Sequence, residues 1–268
     1  MKKFNNLLMG VLVCAFMFSV TAYSQEDGAE AQPEPMIVTI TTAHWNADSD
    51  VDFSDWEKTE KEFFDKVTSK NDLIVSSSFY THYFTPDNSE VVMVNMYKSM
   101  ADIAKANDAS NKLIEAAWPE KDARDAFFDK QASYYNPNHS DEVYTTLPFM
   151  KQINTTSTEP LLFYVRTNKT GNGGKGYKEF FDNITMKNKY IKGFFTHRHR
   201  WGSDGRDTLE SGVYDNLGDI ERGFAENQRL IEAYWPDEEK RKTFFKDYDK
   251  YVTGHGDAIY SGVPGLSK

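Results

Sequence analysis

The sequence predicts an α+β fold in which one β-α-β-β-α-α-β unit is used twice. Two observations predict it. Sliding the chain against itself by 117 positions lays residues 97–128 on 214–245 without a gap, with 12 of 32 positions identical, where composition alone gives about 2. Within each copy the hydrophobic period also switches between strand and helix spacing in the same order. The densest match is LIEAAWPE at 113–120 against LIEAYWPD at 230–237. The same offset aligns KEFFD at 61–65 and 178–182, and an offset of 116 aligns HSDEVYTTLP with HGDAIYSGVP.

Residues 1–24 read as a secretory signal peptide. Lys2 and Lys3 precede an apolar stretch at 7–20, and Ala22-Tyr23-Ser24 sets small residues before a cut ahead of Gln25. Cys14, the one cysteine, lies inside that stretch behind bulky Val13, a poor context for lipid attachment. Cleavage would leave no thiol, which excludes cysteine nucleophiles and thiolate metal sites. The expected destination is the periplasm or the extracellular medium. Residues 25–35 (QEDGAEAQPEP) are acidic, proline-containing and without periodicity, and read as a disordered leader.

The first copy spans 36–150 and the second 159–268, joined by a linker at 151–158 that contains the turn-rich NTTST segment at 154–158. First strands are expected at 36–43 and 161–166, rich in β-branched and aromatic residues. A helix follows each, with Trp56, Phe63, Phe64 and Val67 on one face in the first copy and Tyr177, Phe180, Phe181 and Ile184 in the second. The GNGGKG segment at 171–176 lacks the Gly-Lys-Ser/Thr ending of a phosphate loop and reads as a flexible strand-to-helix loop. Hairpins come next, 73–84 with 91–97 and 190–201 with 208–214. A long helix then carries Ile103, Leu113 and Ile114, or Ile220, Leu230 and Ile231, and runs into Trp118-Pro119 or Trp235-Pro236. Proline there ends the helix and suits the first turn of the next, where the acids Glu120, Asp122, Asp237 and Glu238 favour the dipole. Trp118 and Trp235 are expected as core anchors. Last strands are expected at 142–147 and 258–263.

This order is the ferredoxin-like split βαβ with an added helix. Such a unit leaves one sheet face bare, and a second copy can cover it. On this element order and duplication, over roughly 36–150 and 159–268, the chain resembles the dimeric α+β barrel superfamily, here as two units fused into an intramolecular α+β barrel. The resemblance implies functions ranging from cofactor-independent monooxygenases of antibiotic biosynthesis through haem-dependent enzymes to isomerases, so function rests on the site. Haem-degrading members place a histidine on a helix, and the long helices here contain none. Cofactor-free oxygenases of the superfamily hold a reduced phenolic substrate in an aromatic cavity, which the 15% aromatic content allows.

Net charge is −10, from 31 basic and 41 acidic side chains, with no basic run, which argues against nucleic acid or an anionic membrane surface as partner. No later stretch is long and apolar enough to span a bilayer. Among the six histidines, FYTH at 79–82 matches FFTH at 194–197. Alternation puts Tyr80, His82 and Phe84 on one strand face, and Phe195, His197, His199 and Trp201 on the corresponding one. His82 and His197 are therefore the candidate acid/base groups, set against a structural role as packed imidazoles, with Tyr80, Phe195, His199 and Trp201 as candidate ligand contacts. His197 and His199 could form a metal pair, but without thiols or a nearby carboxylate no metal and no cofactor is expected. His139-Ser140-Asp141 and His255-Gly256-Asp257 read as turn chemistry before the last strands. Glu115 and Glu232, each in the last turn of a long helix, call for a compensating partner: an ion pair with Arg124 or Arg241, or a pocket under the sheet. Two functions stay open, a module holding a small hydrophobic or aromatic molecule and an oxygenase-like enzyme acting on one.

Overall fold

The structure, a computed structural model, describes residues 34–47 and 52–268. The signal-peptide expectation and nearly all of the leader lie outside the described residues. The elements are β1 (Ile37–Trp45), α1 (Phe53–Lys66), β2 (Ser76–Phe84), β3 (Glu90–Tyr97), α2 (Met100–Ala117), α3 (Lys121–Ser133), β4 (Tyr135–Thr146), β5 (Leu162–Thr170), α4 (Tyr177–Phe180), β6 (Gly193–Trp201), β7 (Asp207–Tyr214), α5 (Leu217–Tyr234), α6 (Glu238–Tyr248) and β8 (Val252–Ser267). The strands close into an antiparallel eight-stranded barrel in the order β1-β3-β2-β8-β5-β7-β6-β4. Helices lie on its outer face: Trp56 and Phe64 of α1 are buried against Val91 of β3 and Val263 of β8. No helix among the described residues is long and apolar enough to cross a membrane.

Both expected hairpins form, β2 on β3 and β6 on β7. The long helices end at the Trp-Pro steps, where the N–H of Trp118 and of Trp235 still bonds Ile114 and Ile231. The last strands are longer than expected, and they make both seams of the barrel, β8 on β2 and β4 on β6. Beyond β4 the chain keeps following β6, through Leu147 to Thr196 and a bridge between Lys151 and Phe194. At the two seams the same clamp recurs: Lys268 Nζ donates to the carbonyl of Asn71 at 2.8 Å, and Lys151 Nζ to that of Asn188 at 2.8 Å. Asn71 and Asn188 are themselves buried, each donating through Nδ2 to a helix carbonyl, Ala106 or Gly223, at 2.8 Å.

Strand pairing places the hairpins of the two halves in register at 117, not at the 115 implied by matching FYTH with FFTH. Tyr80 opposes Val92 just as His197 opposes Leu209, and Thr81 opposes Val91 just as Arg198 opposes Thr208. The counterpart of His82 is therefore His199, and that of Tyr80 is His197. A slip of two residues leaves every side chain on the same face, so alternation could not detect it.

The GNGGKG segment is packed against the fold. A Cβ on Gly174 (φ +106°) would stand 2.6 Å from the Tyr251 ring, and one on Gly176 (φ +90°) 2.4 Å from the Phe244 ring. Glycine is required there both for conformation and for close approach.

Candidate functional site

A groove of about 830 Å³ opens between α4 and the outer face of β6 and β7. Its wall is aromatic: Phe149 lies 4.6 Å from Tyr177, and Tyr177 lies 5.8 Å from Tyr251, ring centre to ring centre. Its floor holds Thr196, Thr208 and Glu210, with Arg198 and Lys178 at the edge. The Tyr177 hydroxyl donates to Glu210 Oε1 at 2.6 Å, and burial, then Glu210, pushes its pKa up. Arg166 approaches the other oxygen of Glu210 at 3.8 Å and Asp257 at 3.6 Å. A carboxylate flanked by a phenol and a guanidinium thus lines a mostly apolar groove. A smaller hollow of about 190 Å³, lined by Asn172, Arg206 and Asp207, adjoins at Thr170 and Arg198.

The equivalent space in the first half is filled by Trp56, which is fully buried. Its indole N–H donates to the Tyr135 hydroxyl at 2.7 Å, which donates to Glu60 Oε1 at 2.8 Å, and Gln131 donates to Glu60 Oε2 at 2.9 Å. Burial raises the Glu60 pKa, partly offset by these two hydrogen bonds. In the 117 register Trp56 corresponds to Gly173, Glu60 to Tyr177 and Val91 to Thr208. Gly173 is an exposed loop residue outside the groove lining, so the second half has no indole in this space, and Thr208 stands where the first half has Val91.

The residues singled out from sequence lie elsewhere. Tyr80, Phe195, His197 and His199 face the barrel lumen, on the sheet face opposite the groove. Tyr80 packs edge-on against Phe163 of β5 at 4.7 Å. His197 is half-buried by accessible surface yet surrounded by protein, and that burial holds its pKa down to about 4. His82 pairs with Thr85 Oγ1 at 2.7 Å. His199 Nε2 accepts from the Ser203 N–H at 2.9 Å, its ring sits edge-on to Tyr144 at 5.5 Å, and its buried Nδ1 has no hydrogen-bond partner among the described residues. Trp201 is 56% exposed at the barrel mouth. Among the described residues no group of three or more His, Cys, Asp or Glu is placed to hold a metal ion.

Glu115 and Glu232 are exposed and line no groove. Their expected arginine partners do other work: Arg124 Nη1 donates to the Trp118 carbonyl at 3.0 Å, and Arg241 Nη1 to that of Trp235 at 2.9 Å. The arginines satisfy helix-end carbonyls, which the negative end of the dipole favours more than a surface ion pair. Gln228 donates to Glu232 at 2.6 Å. The His-Asp pairs are not turns but lie within β4 and β8. His139 meets Asp141 and His255 meets Asp257, each at 3.2 Å. Each Asp accepts from a neighbouring strand, from Thr41 at 2.6 Å or Tyr164 at 2.8 Å, because the strands extend further than the sequence pattern showed.

Sequence reasoning missed Glu210, Arg166 and Arg198. The available signal was charge on the strand face that otherwise packs under helices, in RT at 166–167 and LES at 209–211. Tyr177 was legible only as an apolar helix residue.

Solved structures that share the fold include a candidate monooxygenase from Fusobacterium nucleatum, with a TM-score of 0.55 at 10% identity over 85% of this chain and 92% of that one. A candidate monooxygenase from Lactobacillus acidophilus gives 0.51 at 8% identity over 87% and 96%. At such identities the likeness is one of fold. No family model matches the chain, and no curated protein matches its sequence.

Proposed function

We propose that this chain is an exported small-molecule-binding protein of the dimeric α+β barrel type, two ferredoxin-like units in tandem, whose second half holds a small hydrophobic or aromatic ligand. The observation that carries the reading is the asymmetric groove: its apolar walls and few convergent polar groups are those of a ligand site, and the first half fills the same space with Trp56. In this reading His82 and His199 are structural, and Phe149, Tyr177 and Tyr251 contact the ligand. The test is a fluorescence titration with naphthol. Thr208→Phe, restoring bulk where the first half has Val91, should weaken binding at least about tenfold without altering the circular dichroism spectrum. Unchanged binding in that variant defeats the reading.

A second reading, oxygenation of a small phenol, is favoured by Glu210. A carboxylate set between Tyr177 and Arg166 can accept a phenolic proton within the groove. Oxygen uptake with a hydroquinone substrate should then exceed the protein-free control and fall about a hundredfold in Glu210→Gln. Uptake equal to the control leaves binding alone.

A further inference from the structure

The barrel itself presents a second site, which does not depend on the groove. All neighbouring strands are antiparallel, so β1, β2, β5 and β6 run one way and the other four run back. β2 and β6 therefore finish at the same mouth. On the inward face Val38 and Val213 are buried, 2% and 0% exposed, whereas Ile40, Tyr80, Phe163, Phe195, His197 and Ser211 keep accessible surface. In a closed barrel such side chains have only the lumen to face, and eight strands leave an interior that side chains fill or that one small ligand occupies.

The mouth is built symmetrically. His82 opposes Tyr260, the pairing then shifts, and Phe84 follows; His199 opposes Tyr144, the pairing shifts, and Trp201 follows. Bulges at barrel rims re-aim side chains, and Phe84 and Trp201 are 60% and 56% exposed, more than any other large apolar residue described. Each Tyr donates to a glutamate at 2.9 Å, Tyr260 to Glu90 and Tyr144 to Glu142, so these rim tyrosines are already paired.

Deeper in, His197 differs. Its ring nitrogens have no hydrogen-bond partner among the described residues and are not among the sealed-off polar atoms. They lie on the inward face of β6. Burial holds the ring's pKa down to about 4 and pushes that of Tyr80 up.

We propose that the lumen binds a neutral single-ring compound bearing one hydroxyl, entering between Phe84 and Trp201, with its ring among Tyr80, Phe163 and Phe195 and its hydroxyl on His197. A charged ligand is excluded by the apolar surroundings. The experiment titrates the full chain with para-fluorophenol, followed by fluorine NMR and by the His197 imidazole nitrogen resonances. The expected result is a shift of those resonances and a loss of affinity of about tenfold in both His197→Phe, which removes the hydrogen bond, and Ser211→Leu, which narrows the lumen. Glu115→Gln, exposed on α2 and lining neither site, should shift the His197 resonances as the parent does. Unmoved His197 resonances, unchanged affinity in either lumen variant while it remains folded, or equal loss in all three variants would overturn the proposal.

Discussion

The two helix–sheet layers share one element order and end in opposite states. In the first half Trp56 occupies the space between α1 and the sheet, and its indole, Tyr135, Glu60 and Gln131 satisfy one another. In the second half Gly173 stands at the position of Trp56, Tyr177 at that of Glu60, and the space is a groove. A single large side chain decides whether such a layer is core or site. Burying Trp56 contributes stability, and giving it up in the second half leaves room for a ligand.

The strongest way to break this contrast is Trp56→Ala. It should cost about 3–5 kcal/mol, as for large buried aromatics, by urea unfolding, and should create a second naphthol site in the first half. A loss under about 1 kcal/mol would show that Tyr135 and Phe79 refill the space and that the contrast does not depend on Trp56.

Next come the two tryptophans at the helix ends. Both were expected in the core, but only Trp118 is buried, its ring tilted against Phe127 at 4.2 Å with Lys66 over it; Trp235 is half-buried beside exposed Tyr234. Trp118→Ala should cost about 3–5 kcal/mol and Trp235→Ala about 2 kcal/mol. Equal losses in thermal unfolding would erase this difference between the halves.

His197 supplies a pH test. Its folded pKa, about 4, lies below its ordinary 6.5, so between these values the unfolded chain binds the extra proton. The neutral ring's contribution is fully present above pH 6.5 and is lost as pH falls through 4, by up to about 3 kcal/mol. His197→Gln should flatten that part of the stability profile; an unaltered slope would place the ring in contact with bulk water.

The smallest effect is expected at Glu60, whose pKa burial raises. Its contribution runs the other way, fullest at acid pH and declining as pH rises above the ordinary carboxylate value. Glu60→Gln should remove that decline while keeping the Tyr135 hydrogen bond, and a steeper decline in the variant would contradict it.

The sequence made the element order legible, because Trp56, Phe64 and Val67, or Phe180, Phe181 and Ile184, repeat at helical spacing wherever they pack. It also placed Tyr80, Phe195, His197 and His199 on a common strand face. The groove was not legible, since Glu210 and Arg166 lie 44 residues apart and only their charge on a helix-covered strand face marks them. They meet only because β5 pairs with β7. The Glu115 and Glu232 expectation failed because Arg124 and Arg241 had nearer acceptors in the Trp118 and Trp235 carbonyls.

By itself, the sequence determined the repeat, the switch of period in each copy, the Trp-Pro helix ends and the alternation of strand faces. All of these follow from local rules of backbone geometry and side-chain spacing. Tertiary structure alone decided that His82 answers to His199, that β8 and β4 close the barrel across the halves, and that one helix–sheet layer is filled and the other open. A strand's register and the volume left between layers depend on partners far away in the chain, and a period of two reads the same after every shift of two.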